Sequence, residues 1–512
     1  MKIKTRTLAV LLPLIAIMVV PLLAAERVVR SGSPFEPSGM DPAQAWDDIS
    51  AFYVDNIFDT LVRLNPQTTK IEPALAVSWE TSPDGRTWTF QLRRGVRFHD
   101  GTPLDADAVV FTFFRQMDPA NPNRQRDFPM FSGIFTLLKA VQKLDAQRVQ
   151  FILSEPFFPF LAALTVECAA IVSPTAVKKE GANFAHRPVG TGPFKLDSWQ
   201  KDKRLVLTAN REYWGVRPSV DEYVNIIEPS SEILNSYFQQ GTLDILYSYS
   251  ISKMVSYKKQ DWVKVVAAPY LSVTFVVINA ARPTLSRKRV RQALGCAWDP
   301  RALKLIFQDY VLPIHTLLPK GLIASETEAP GSEFSLAKAQ NLLKKESMER
   351  EIQLEMLLQK DDGLLFQLFS MFARNLKQIG IKLKLTRLDA QAYKSRIALG
   401  DYDLAYSGWI ADYPDPDSML FPLLSEQLQK QGFANIAGAK RRDLDDLLKA
   451  ARRERDAKKR QALYRDIDRA IVDDGLVIPL YQDKRVMIYN QKIGRLQPDL
   501  LGKFYLNDLQ LK

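Results

Sequence analysis

Polar and apolar residues alternate strictly through Thr87-Trp88-Thr89-Phe90-Gln91-Leu92, the period of a half-buried strand. Pro83-Asp84-Gly85 stands just before it and supplies turn chemistry, so this strand is expected to be one arm of a hairpin. Val96 to His99 is expected to resume the strand, and Asp100-Gly101 to close it. The period then changes. Val109, Val110, Phe113 and Phe114 return at helical spacing, and Asp105 stands where an N-cap belongs. The C-terminal half repeats this exchange of periods. Leu364 to Ile379 carries a helical pattern that Gly380 stops, and Ile381, Leu383 and Leu385 then alternate with Lys382, Lys384 and Thr386 as a strand. A short helix is expected over Tyr393 to Leu399 before Gly400, a short buried strand over Leu404 to Tyr406, and a helix with Leu444, Leu447, Leu448 and Ala451 on one face. Interleaved helices and strands favour α/β or α+β layers over a barrel of strands alone. The chain has no tandem repeat and no low-complexity tract. Weak boundaries are expected near Pro229–Ser231 and Pro269–Ser272.

One stretch fits neither period. Lys2, Lys4 and Arg6 precede an uncharged, almost wholly apolar run from Leu8 to Ala25, which Glu26 ends. This is the layout of a secretory signal peptide, with Ala24 and Ala25 as the small residues for cleavage. The apolar run is nearly long enough to anchor the chain, but Pro13 and Pro21 interrupt a continuous helix, so cleavage near Glu26 is expected over a retained anchor. The segment holds no cysteine, so a lipid-anchored form is excluded. Leu161 to Val172 is apolar but short and contains Glu167 and Cys168, and it is expected to be core.

Length and composition narrow the function. At 512 residues the chain is too long for one ordinary domain, and its 46% apolar and 25% charged residues are those of a folded globular protein. The formal charge is +11, and removal of the three leader cations leaves +8. The basic clusters Lys440-Arg441-Arg442, Arg452-Arg453 and Lys458-Lys459-Arg460 are interleaved with Asp443, Asp445, Asp446, Glu454 and Asp456, the mixed signs of a solvated helix face, so a nucleic-acid partner is not expected. Two cysteines, Cys168 and Cys296, exclude a disulfide scaffold and a cysteine-rich metal site. Whether they pair is open at this level. The three histidines are widely spaced. The chain has no G-x-x-x-x-G-K-[ST] loop and no G-x-S-x-G elbow, so neither a nucleotide-driven enzyme nor a serine esterase is expected.

The segment "SWETSPDGRTWTFQLRRGVRFHDGTPLDADAVVFTF" at Ser78–Phe113 closely resembles the extracellular solute-binding proteins of peptide and nickel ABC transporters, the bacterial family 5 group. Further similar motifs follow in order: "RPVGTGPFKL" at Arg187–Leu196, "NREYWG" at Asn210–Gly215, "VRQALGCAWD" at Val290–Asp299, "QIGIKLKL" at Gln378–Leu385, "GDYDLAYSGWIADYPDPDSML" at Gly400–Leu420 and "VIPLY" at Val477–Tyr481. They span nearly the whole chain beyond the leader. The resemblance implies an α/β, two-lobed periplasmic binding-protein fold of the class II type, with a hinge and an additional inserted domain. Mapped by resemblance, the first lobe takes 26–47, 170–272 and 480–512, the inserted domain 48–169, and the second lobe 273–479. The implied function is capture of short peptides in the interlobe cleft by a periplasmic, monomeric protein. Delivery would be to ABC permease subunits with cytoplasmic ATPases, with no catalysis and no cofactor. The alternatives are a nickel chelate, haem, an opine-like compound or an oligosaccharide as ligand, or a chaperone-like interaction role.

The resemblance also points to residues. In oligopeptide-binding relatives the aspartate of the "ADY" segment holds the peptide α-amino group, and Asp412 matches it. A carboxylate in a closed, dry cleft can pair with an ammonium if the geometry is good. Gly408, Trp409 and Ile410 match positions whose backbone satisfies the peptide's own N–H and C=O groups, as an added strand would. Glu36 and Ser38 in "FEPSGMDP" match the start of a ligand-contacting segment, with Glu36 a second candidate for the ammonium, although Pro37 lacks an N–H to offer. Asn435 precedes the C-terminal helices and is a further candidate. Asp415 and Asp417 are better explained as turn residues.

Overall fold

The computed structural model describes residues 27–512 except 46, 67, 69, 125–132, 247–250, 323–332, 347–350, 361 and 425–440. Asn435 and the leader, with its cleavage point, lie outside the described residues. The chain opens with β1 (Val28–Ser33), then helix α1 (Asp48–Ile57) and the short hairpin β2 (Val62–Leu64) and β3 (Ile71–Pro73). β4 (Ala76–Thr81), β5 (Thr87–Leu92), helix α2 (Ala106–Met117), β6 (Leu138–Asp145) and β7 (Arg148–Leu153) follow. Next come β8 (Phe194–Gln200), β9 (Arg204–Ala209), β10 (Glu222–Ile227), β11 (Ile245–Leu246), β12 (Val263–Pro269) and β13 (Ser272–Ile278). β14 (Val311–Pro313), β15 (Ile352–Gln359), β16 (Ile381–Leu388), β17 (Leu404–Ile410) and the long β18 (Val477–Asn490) lead to β19 (Ile493–Arg495) and β20 (Gln510–Leu511).

The hairpin at Pro83-Asp84-Gly85 forms as the alternation predicts. β5 pairs with β4 on one edge and β7 on the other, giving the small antiparallel order β4-β5-β7-β6. Trp88, Phe90 and Leu92 turn inward with Phe113, Phe151 and Phe160 to make one core. Asp105 caps α2 by accepting from the Ala108 N–H at 3.1 Å. Val96–His99 does not resume the strand. Its backbone groups go instead to a tight loop, with Phe98 N–H to Thr102 O and His99 N–H to Gly190 O, and only the isolated bridge Arg97–Pro103 remains. Pro229–Ser231 is not a boundary either, because Ser230 caps the helix Ser231–Gln239 within one sheet region.

The large sheet runs β16-β15-β17-β13-β18-β11-β1-β10-β9-β8, with β12 and β14 also on β18. Its two halves come from different parts of the chain. β1 and β8 to β12 make one half, with helices such as Asp48–Ile57 and Ser231–Gln239 packed on it. β13 to β17 make the other, around two cores that hold Phe275, Leu317 and Tyr464 on one side and Leu294, Met356 and Phe372 on the other. β18 serves both: Val477–Tyr481 lies along β13, and Lys484–Asn490 along β12. At the crossing, fully buried Gln482 donates to the carbonyls of Tyr270 (2.8 Å) and Lys320 (3.0 Å) and accepts from the Lys320 N–H (3.0 Å). Pro269–Ser272 is the passage from β12 to β13 at the same place. Cys168 and Cys296 are not joined in a disulfide, and Cys296 is buried in the second half. Among the described residues no helix is long and apolar enough to cross a membrane.

Candidate functional site

A cleft of about 610 Å³ opens where the halves of the large sheet meet. It is lined on one side by α1, Ser33, Tyr223, Asn225 and the segment Leu501–Phe504, and on the other by β13 and Gly408–Asp412. Asp483 and Arg485 of β18 also line it. The size suits a ligand of a few residues.

Gly408, Trp409, Ile410 and Asp412, all singled out from the sequence, are brought together at this cleft. β17 extends to Ile410 and pairs antiparallel with β13 along its whole length, but β15 reaches only Leu404 and Ala405. From Tyr406 onward, one edge of β17 therefore carries no partner strand among the described residues. Gly408 is exposed there, and a side chain at that position would stand 3.3 Å from the Val273 carbonyl. Trp409 is half-buried against the core and donates its indole N–H to Ser418 O at 2.8 Å, so its ring is fixed as a wall. Ile410 is 41% exposed.

The loop after β17 is held by the helix Pro416–Leu424. Ser418 Oγ accepts from the N–H groups of Asp412 (2.7 Å) and Tyr413 (3.3 Å). Asp415 and Asp417 are used internally. Asp415 pairs with Arg460 at 2.6 Å, and Asp417 with Arg452 at 3.2 Å while accepting the Tyr413 and Tyr464 hydroxyls. Asp412 differs. Its carboxylate has no ion pair or hydrogen bond among the described residues, and burial pushes its pKa up to about 7, with Glu167 adding to the rise and Lys503 opposing it.

Glu167 and Lys503 belong to a cluster that sequence reasoning missed. Lys503 binds Asp55 of α1 at 3.3 Å and also pairs with Glu167, and the two carboxylates hold its ammonium charged. The partners lie far apart in the chain, so no spacing announces them. The one signal was Glu167, an acid inside the apolar run Leu161–Val172, whose neighbours Leu164, Val166, Ala169 and Ile171 are indeed core. The remaining lining charges are also engaged. Asp47 caps α1 through the Ile49 and Ser50 N–H groups, Asp48 pairs with Arg485 at 2.8 Å, and Asp483 accepts from the Ser272 and Thr274 hydroxyls at 3.2 and 3.4 Å.

Two other residues singled out from the sequence lie off the cleft. Glu36 Oε1 accepts the Trp199 indole N–H at 2.5 Å and the Asp202 N–H at 3.3 Å. Ser38 donates to Asp47 at 2.7 Å and its N–H goes to Ser50 Oγ at 3.0 Å, which ties it to the start of α1. Neither lines the cavity.

The model of the bacterial extracellular solute-binding proteins, family 5 (middle), matches residues 70–431. The chain belongs to this family. This family 5 protein is a periplasmic, non-catalytic solute-binding component of an ABC importer, and its partners are the permease and ATPase subunits. Its two-lobed α/β architecture is of the class II kind. It is 27% identical to the dipeptide-binding protein of Escherichia coli, covering 98% of this chain and 97% of that protein. It is 28% identical to heme-binding protein A of Haemophilus influenzae, covering 83% and 81%. Its fold matches that of the binding protein DppA from Helicobacter pylori in complex with the peptide STSA, with a TM-score of 0.80, 28% identity and coverage of 94% and 98%.

Proposed function

We propose that this protein captures short peptides by their free amino terminus. The observation that carries the reading is the Asp412 carboxylate, without a partner among the described residues, beside the open edge of β17. An ammonium in a water-poor cleft needs an anion, and a buried peptide backbone needs donors and acceptors, and here the two stand side by side. Similarity to a dipeptide-binding protein and to a structure holding a peptide supports the same ligand class. The heme-binding relative raises the alternative, but the charges disfavour it. The lining offers haem propionates two cations, Lys503 and Arg485, and both are already paired, Lys503 with Asp55 and Glu167 and Arg485 with Asp48. Among the described residues no three His, Cys, Asp or Glu side chains gather to hold a metal ion.

In this reading the lobes 26–47, 170–272 and 480–512, with the inserted unit 48–169, close against 273–479 about the crossing at Tyr270 and Gln482. A ligand touching both walls favours the closed form. Calorimetry with Ala-Ala and its N-acetyl derivative is the test. Acetylation should weaken binding to the unaltered protein by about 30-fold or more and add little to the defect of Asp412→Asn. Equal affinity for the free and acetylated peptides defeats the reading.

A further inference from the structure

The mixed charges of the helix Arg442–Arg453 predict a solvated face, and Arg453 is half-exposed, but Arg452 beside it is only 6% exposed. Its guanidinium lies between two rings, 3.7 Å from the centre of Phe421 in the second half of the molecule and 4.7 Å from that of Phe157 in the unit 48–169. The Phe158 N–H donates to the Arg452 carbonyl at 3.1 Å, and Glu155 forms an ion pair with Arg453. None of Glu155, Phe157, Phe158, Arg452 and Arg453 lines the cleft. The same two bodies also exchange core residues. Tyr413 is buried among residues that otherwise run from Leu61 to Ile171, and Leu64 among residues that otherwise run from Leu271 to Leu501. Asp417 joins this junction to the binding loop. One of its oxygens takes Arg452 and the Tyr464 hydroxyl, each at 3.2 Å, and the other takes the Tyr413 hydroxyl at 2.8 Å. Tyr413 follows Asp412 directly, and the N–H groups of both end on Ser418 Oγ. Direct contacts therefore run from Phe157 through Arg452, Asp417 and Tyr413 to the neighbour of Asp412.

Resting on the lobe division and the Asp412 reading above, we infer that Arg452 is a positioning residue. The clasp it forms with Phe157 and Phe158, outside the cleft, holds the loop 411–418 in its binding geometry and favours the closed arrangement of the lobes. A desolvated guanidinium keeps its place only while its ring faces and its carboxylate stay with it. One of the two faces here comes from the opposite body, so parting of the bodies uncovers Arg452, lets water reach Asp417 and loosens the hold on the Tyr413 hydroxyl. An arginine suits the place because its planar group can lie between two rings while pairing at its edge, whereas a lysine ammonium has no plane to stack. Arg452 touches no ligand in this assignment and acts whatever the ligand's side chains are. Capture starts from the open form, in which the clasp is already parted. Its weakening therefore shows in the rate of ligand release more than in the rate of capture.

The experiment is amide hydrogen exchange on the ligand-free exported protein and on three variants. Phe157→Leu keeps an apolar side chain but removes the ring face, Glu155→Arg reverses the charge beside it, and Glu155→Arg with Arg453→Glu swaps the pair. Exchange of the segment 411–418 should quicken about fivefold in Phe157→Leu and about twofold to fourfold in Glu155→Arg, and return to the unaltered rate in the swapped pair. Release of Ala-Ala, followed by stopped-flow fluorescence, should quicken by the same factors, with the rate of capture within about twofold. A contact that only stabilises the unit 48–169 would quicken exchange around 155–158 and leave both 411–418 and release unchanged. That result overturns the inference and leaves the peptide reading standing. Glu155→Arg is a surface change, so it carries the test even where Phe157→Leu folds poorly, and no recovery in the swapped pair overturns the assignment to this contact. Failure of Ala-Ala to bind the unaltered protein removes the peptide reading, while the exchange measurement still decides the clasp.

Discussion

The segment after β1 and the loop after β17 each offer a carboxylate that the sequence marks for the same task, and the fold treats them in opposite ways. Glu36 is drawn to the Trp199 indole and the Asp202 amide, so an acceptor oxygen is already occupied inside the first half of the molecule. Asp412 has its backbone N–H tied to Ser418 while its carboxylate has no partner among the described residues, in surroundings that raise its pKa to about 7. The proposed binding group is distinguished by what the fold leaves unsatisfied, and residue type alone does not show that.

The comparison breaks most sharply under substitution. Asp412→Asn should lower the affinity for a dipeptide with a free amino terminus by about 30-fold to several thousand-fold, the range for breaking a desolvated charge pair. Glu36→Ala should leave it within about twofold, because Glu36 does not line the cleft. Titration calorimetry on the two variants measures both. Comparable losses in the two would mean that the ammonium is shared between these segments.

The pH dependence is the next largest effect. In the proposed mode the ligand ammonium needs the ionised form of Asp412, whose pKa burial raises to about 7. Affinity should therefore fall as pH drops through 7, by about fivefold between pH 8 and pH 6, because the loss of ionised Asp412 outweighs the gain in protonated ligand amine, whose pKa is about 8. An N-acetylated peptide should show no such slope. Affinity independent of pH in this window would detach Asp412 from the ligand charge.

Stability should move in the opposite sense to binding. A carboxyl whose folded pKa is raised above its unfolded value is more easily ionised in the unfolded chain, so it weakens the fold above about pH 7 and regains stability as pH falls from 7 toward 4. Asp412→Asn should raise the melting temperature of the ligand-free protein by about 2–4 °C at pH 8, with the gain shrinking toward pH 4. Glu36→Ala should lower it at both values by a similar amount, because the buried side of Trp199 loses its acceptor. Scanning calorimetry at the two pH values tests both signs. The smallest effect is expected for Ser418→Ala. The Asp412 and Tyr413 N–H groups lose their common acceptor, the loop loosens, and peptide affinity should drop by about threefold to fivefold, with the melting temperature lowered by about 2–4 °C.

Much of this was legible in the chain where the determinants are local. The hairpin before Thr87, the Asp105 cap, the stop at Gly380 (φ 82°) and the strand Ile381–Leu388 are fixed by neighbours in sequence, and the structure contains them. Val96–His99 misled because its alternation is real but its backbone partners, Thr102 and Gly190, belong to a loop. β17 is longer than its apolar core suggests, since Ser407 and Gly408 continue pairing with β13 without burying much. The resemblance placed the Asp412 loop, yet it also marked Glu36, whose partner Trp199 is more than 160 residues away and invisible to any local pattern. The Asp55–Glu167–Lys503 cluster was missed for the same reason.

The shared strand β18 has a consequence for how the molecule is made. It occupies residues 477–490, and it supplies pairing partners to β11, β12, β13 and β14, while β1, from the other end of the chain, sits between β10 and β11. A polypeptide crossing a membrane from its N-terminus can close neither half of this sheet until nearly all of it has emerged. Pairings this distant in sequence form slowly, because a long loop must be ordered before they are gained. The topology thus delays completion of the large sheet, whereas the small sheet β4-β5-β7-β6 draws only on residues 76–153. The final stretch then joins both lobes at once.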